Sequence, residues 1–115
     1  MPKGDFLGEF EIYVLLAIKR LGDEAYGIGI RHAIEKRTGR DTAIGAVYAT
    51  LARLEEKGLV RHAMSTPQPV AGGRGRKCFH LTPAGERGLS HSTTMLARMM
   101  TMNEPAVTSA KSRAR

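Results

Sequence analysis

The chain of 115 residues has no tryptophan, a single cysteine, and only three tyrosines and three phenylalanines. One cysteine, Cys78, excludes an internal disulfide and a four-thiolate zinc site and fits a reducing cytosol, so a cytoplasmic location is expected. So few aromatic rings leave little from which to build a stacking pocket for a ligand or a base-stacking platform for single-stranded RNA. The longest apolar run, Ile12 to Ile18, spans seven residues, against the roughly 20 that cross a bilayer. No charged leader with a long apolar stretch opens the chain, which argues against a signal peptide and, with the short runs, against a membrane protein. Glycine-rich phosphate loops, nucleophile elbows and His-Glu-x-x-His patterns are also missing, so a Cys78 nucleophile with a histidine base has no framework around it and no enzyme is expected.

Basic charge is what the sequence does have. Lys and Arg number 18 against 11 Asp and Glu, a formal net charge of +7, which favours a polyanionic partner such as nucleic acid. The excess is localised: no acidic residue lies between Glu56 and Glu86, whereas Lys57, Arg61, Arg74, Arg76 and Lys77 do, with His62 and His80.

Apolar residues at 7, 10, 14, 17, 18 and 21 follow the three-four spacing of a helix ended by Gly22. Ile12, Leu15 and Leu16 lie off that face, and this surplus points either to a subunit interface or to a fuller burial in the chain's own core. A second helix runs from about Ala25 to Thr38. Its Gly27 and Gly29 imply a close backbone approach or a frayed first turn. Asp41 or Thr42 is the expected cap of a third helix reaching Lys57, with Ile44, Val47, Tyr48, Leu51 and Leu54 as its inward stripe. Gly58 and Leu59 then spell a Schellman stop against Leu54. Strand candidates at 59–64 and 76–82 flank the segment STPQPVAGGRG, and read as a hairpin they would set residue 62 opposite 80. Thr82 caps a fourth helix with Pro83 at its first position, extending to about Met102. From Asn103 on, the composition reads as a disordered basic tail.

Helix, helix, turn, helix, hairpin is the order of a winged helix-turn-helix, whose third helix enters the major groove. The expected fold class is therefore mainly α with a small β-hairpin: a winged helix over 1–82, a C-terminal dimerisation helix over 83–102, and the tail over 103–115. The outward face of the third helix carries Gly45, Ala46, Ala49, Thr50 and Arg53, reckoned from Thr42. Small side chains there let the backbone sit deep in a groove about 12 Å wide, with Thr50 and Arg53 in reach of phosphates or base edges. Arg74, Arg76 and Lys77, in a glycine-rich hairpin tip, suit a phosphate backbone or a minor groove.

Three segments, at Leu7 to Ile30, Ile44 to Val60 and Gly73 to Leu89, together resemble the PadR family, the phenolic-acid-responsive repressors and their relatives. The specific elements are Ala-Tyr-Gly at 25–27, Val-Tyr-Ala-Thr-Leu with Arg-Leu-Glu-Glu-Lys-Gly-Leu-Val at 47–60, and Leu-Thr-Pro-Ala-Gly at 81–85. The resemblance implies a cytoplasmic homodimeric repressor on double-stranded DNA at an inverted repeat, without a cofactor, answering to a small-molecule effector of unknown kind. It places Tyr26 and Tyr48 at the DNA, and Arg74 and Arg76 in the wing. It also places the fourth helix against a second subunit, so that Ile12, Leu15, Leu16, Leu89, Leu96, Met99 and Met100 are the expected dimer contacts. Two other readings stay open: general DNA or RNA binding by the same charge, and metal or redox sensing by Cys78 with His62, His80 or His91.

Overall fold

A computed structural model describes residues 6–65 and 76–103. The order is α1 (Glu9–Leu21), a 3-10 turn (Gly22–Glu24), α2 (Gly27–Thr38), α3 (Ile44–Glu56), β1 (Val60–Met64), β2 (Lys77–Leu81) and α4 (Pro83–Thr101). This is the expected class, helices with one small antiparallel hairpin. The hairpin tip with Arg74, and the expected tail from 104 onward, lie outside the described residues.

The first helix is the hub. It packs against α2, α3, β2 and α4, which is why its sequence is apolar nearly all round. Leu15, expected at a subunit interface, is fully buried beside Val14 and Ile18, and Ile12 packs partly buried on the same cluster. The surplus apolar surface thus serves the chain's own core. Leu16 alone of the three stays largely outside, 44% exposed. Ile30 and Ile34 of α2, Val47, Leu51 and Leu54 of α3, and Val60, Phe79 and Leu89 complete that core. Leu89 is therefore also a core residue and not a dimer contact.

Local signals explain most element ends. Lys57 closes α3, Gly58 follows at φ 78°, and the amides of Leu59 and Gly58 donate to the carbonyls of Leu54 and Glu55, the paired bonds of a Schellman stop. Thr82 caps α4 by accepting from the Gly85 amide at 3.0 Å, with Pro83 at the first position. The start of α3 departs from expectation. Ala43 is its N-cap, with no side-chain bond, because Thr42 is committed elsewhere: its amide donates to Glu35 at 2.9 Å and its hydroxyl to the Arg40 carbonyl. The Thr42 amide, more than the neighbouring Arg31, holds the Glu35 carboxyl below its usual pKa.

The hairpin pairs Val60 with Leu81, Arg61 with His80 and His62 with Phe79. This is one residue off the expected pairing of 62 with 80, and the slip puts His62 and His80 on opposite faces. Backbone pairing of Tyr26 with Cys78, and the Phe79 amide donating to Ala25 at 2.9 Å, fasten the hairpin to the residues that open α2.

At the corner between α3 and α4 the two chain segments nearly touch. A Cβ added at Gly85 would overlap the Leu59 backbone carbonyl, which itself accepts from the Thr82 amide at 3.0 Å, while the Thr82 hydroxyl donates to the Gly58 carbonyl at 2.7 Å. Backbone on both sides leaves no rotamer to absorb the clash. Gly85→Ala is expected to lower unfolding stability by about 1–3 kcal/mol, the usual cost of overpacking, measured by urea denaturation. An unchanged midpoint would show that the corner can open without cost.

Candidate nucleic-acid interface

Helical geometry divides α3 cleanly. Val47, Thr50, Leu51 and Leu54 turn inward, and Gly45, Ala46, Tyr48, Ala49, Ala52 and Arg53 turn outward. Thr50 is 2% exposed, so it cannot reach a phosphate or base edge as expected. Its hydroxyl instead accepts from Arg53 Nη2 at 3.2 Å. Thr42, 8% exposed, is withdrawn for the reason given above. What remains outside is a face of glycine and alanine bounded by Tyr48 and Arg53, and around Gly45 a Cβ would meet nothing within 4 Å.

Tyr48, half exposed, is placed by a glycine. A Cβ at Gly27 would overlap the Tyr48 phenol, so the first turn of α2 has to be bare for the ring to lie across it. Gly29 likewise sits 3.2 Å, measured from an added Cβ, from the Glu24 carbonyl. Both glycines therefore mark close approaches and not a frayed turn.

Across from this helix stands the hairpin. Tyr26, Gly27, Ile28, Tyr48, Leu51, Ala52, Glu55, Met64, Arg76, Lys77 and Phe79 line an open groove of about 500 Å³. Arg76 and Lys77 are exposed on its rim, and the Arg76 guanidinium lies 4.0 Å from the centre of the Tyr26 ring, a cation–π contact joining the base of the hairpin to the start of α2. The carboxylate in the lining, Glu55, meets His62 Nδ1 at 2.7 Å, and the His62 ring tilts on Phe79 at 5.8 Å. The described part of the groove is thus cationic on its hairpin side and apolar along its floor.

Of the residues raised for metal or redox sensing, Cys78 and His80 come together while His62 and His91 lie apart, and among the described residues no three such groups gather. His62 faces Glu55, His80 Nε2 lies 3.7 Å from Asp23 and 3.9 Å from Cys78 Sγ, and His91 lines a separate groove between α1 and α4.

Sequence reading missed Glu11, an acid inside the apolar run of α1. It is buried, accepts from the Gly8 amide at 2.9 Å and from Lys57 Nζ at 3.0 Å, and lies 3.7 Å from Arg53 Nε. Burial raises its pKa, but the Gly8 amide, Lys57 and Arg53 together outweigh burial and hold the carboxyl below its usual value. The available signal was its place three residues after Gly8, where a glutamate can reach back to the preceding amide.

A helix with a small-residue face, set beside a cationic hairpin on a winged-helix frame, defines the class of DNA-binding transcriptional regulators. The chain belongs to the transcriptional regulator PadR-like family, whose model matches residues 14–91. Its fold is shared with a PadR-like transcriptional regulator from Bacillus cereus at TM-score 0.67 and 22% identity, over 81% of this chain and 85% of the other. It is similarly shared with a PadR family regulator from Clostridium difficile, at TM-score 0.65 and 25% identity over 83% and 94% of the two chains. A transcriptional regulator from Clostridium thermocellum gives 0.65 at 18% identity over 89% and 94%. No curated protein sequence matches. The family and these structures are transcriptional regulators. Among the described residues, no helix is long and apolar enough to cross a membrane.

Glu11 gives this region an acid dependence. Its carboxyl is depressed in the folded state, so its stabilisation is present above the unfolded value of about 4.3 and is lost as pH falls through the folded value. Glu11→Gln is expected to cost about 1–3 kcal/mol at neutral pH and to flatten the fall in stability below that value. Parallel pH profiles of wild type and variant in thermal unfolding would contradict this.

Proposed function

We propose that this protein is a homodimeric repressor that recognises an inverted-repeat operator through α3 and the hairpin. The observation that carries the reading is the exposed face of α3 standing beside Arg76 and Lys77 across one groove. Gly45, Ala46 and Ala49 let the helix approach the floor of a major groove and contact thymine methyls, Tyr48 and Arg53 supply the polar contacts, and Tyr26, Arg76 and Lys77 hold the adjacent backbone. Arg74, outside the described residues, would extend the wing.

Dimerisation is read from α4. Gly85 and Leu89 begin its apolar stripe and are buried on the domain. The same side of the helix continues through Leu96, Met99 and Met100, which are 52–63% exposed. A stripe that starts as core and runs on uncovered fits a second copy, with Leu16, also exposed, as a further contact, and methionine suits such adaptable packing. A two-fold pair presents its recognition helices about 34 Å apart, one turn of DNA. Occupying a promoter would repress it, and release needs an effector that prefers one dimer geometry.

Two measurements test this. Genomic fragments retained by the protein at near-physiological salt should share an inverted repeat, and Arg53→Ala should weaken binding to them by about 1–3 kcal/mol if it meets a base edge. Uniform recovery of all fragments would favour general nucleic-acid binding instead. Met100→Asp should shift the protein from dimer to monomer in analytical ultracentrifugation, and an unshifted dimer would place the contact elsewhere.

A further inference from the structure

The mechanism above leaves a buried acid unused. Glu11 sits in the first turn of α1, its side chain 10% exposed, and its two carboxylate oxygens have different duties. One closes the start of its own helix through the Gly8 amide. The other faces two cations of α3, Lys57 at 3.0 Å and Arg53 Nε at 3.7 Å. Arg53 and Lys57 are four residues apart and so project from the same side of the helix end.

Arg53 is held on a second edge as well. Its Nη2 donates to the Thr50 hydroxyl at 3.2 Å, and Thr50 is buried and cannot swing away. The Thr50 hydrogen bond and the ionic contact of Nε with Glu11 bias the planar fork to one side, and its side chain is still 53% exposed. Arginine biased in this way loses less freedom when it meets a ligand than one that must first be ordered.

We infer that Glu11 is a positioning residue for DNA recognition: from α1 it locks the Arg53 guanidinium of α3 in the attitude that reads the operator. The inference rests on the proposed role of Arg53 at DNA, and it runs against simple electrostatics. A carboxylate beside two cations weakens attraction to phosphates, so removing it should tighten binding to any duplex. A positioning group has the opposite effect on the chosen sequence alone.

The test compares two duplexes of equal length, one carrying the selected operator and one scrambled, by fluorescence anisotropy at a fixed salt concentration. Glu11→Gln keeps the shape and removes the charge. Its affinity for the operator should fall by about tenfold or more, the scale of one well-placed base contact, with affinity for the scrambled duplex unchanged or increased. Thr50→Val removes the other restraint without touching any charge and should lower the ratio of the two affinities in the same direction, which keeps the inference testable if Glu11→Gln folds poorly. In an Arg53→Ala background, Glu11→Gln should leave the ratio unchanged. Equal tightening on both duplexes would make Glu11 only a repelling charge, and equal weakening would make it only a structural one. Either result overturns the inference, as does a further loss of the ratio without Arg53. If wild type itself fails to prefer the operator, the underlying reading fails and the inference falls with it. A wild type that discriminates beside a Glu11→Gln variant that discriminates equally well removes the inference alone.

Discussion

The contact on which the arrangement depends is the backbone junction between Gly58–Leu59 and Thr82–Gly85. Chain leaving α3 and chain entering α4 meet there with no side chain between them, joined by the Thr82 amide and hydroxyl to the carbonyls of Leu59 and Gly58. The junction sets two directions at once. It fixes how β1 leaves the end of the third helix, and so where the hairpin stands relative to the outward face of that helix. It also fixes the angle at which α4 departs, and so where the exposed Leu96 and Met100 are carried. A small domain with one modest core has few other means of aligning distant surfaces. Backbone hydrogen bonds in a space too tight for a methyl group provide one, because neither partner has a rotamer through which to yield.

Much of this was legible in the sequence, for reasons that can be named. Gly58 before Leu59, and Thr82 before Pro83, each leave one favourable local solution, and both ends fell where those residues put them. The cap of α3 was misread because the Thr42 hydroxyl turns back to the Arg40 carbonyl and its amide is held by Glu35, seven residues earlier on α2. Thr50 was misread for a related reason. Its place on the wheel borders the core, and only the packing of α1 against α3 decides that it is covered. Leu15 and Leu89 carried an apolar signal that was correct and a location that was not, since periodicity says that a face is buried but not by what. The register of the hairpin could not follow from a long loop, where one residue more or less reverses the faces. Glu11 shows the strongest limit: a single acid among apolar residues has meaning only once Lys57 and Arg53, more than 40 positions away, are brought to it.

The charge of the molecule is arranged by these same contacts. Along the described groove, Arg76 is held over Tyr26 and Glu55 is turned to His62, so the acid that lines the groove faces a partner while cations remain on the rim. Behind the helix, Glu11 meets Lys57 and Arg53, and on α4 Glu86 meets Lys19 at 3.0 Å. The last pair is exposed, and pairs of that kind contribute little to stability. The Glu11 pairs differ because the carboxylate itself is buried and also closes a helix start, coupling the most central helix to the one that carries the outward face.

That outward face has an evolutionary consequence. The inward stripe of α3 holds the core, while Gly45, Ala46 and Ala49 touch little, and the space around Gly45 is open. New side chains can therefore be tried at these positions without disturbing the packing beneath, and at Gly45, in the first turn of α3, a side chain would also restrict the unfolded backbone. Duplicated copies of such a gene can explore new target preferences with no debt in folding, so this helix is a place where paralogues are free to diverge.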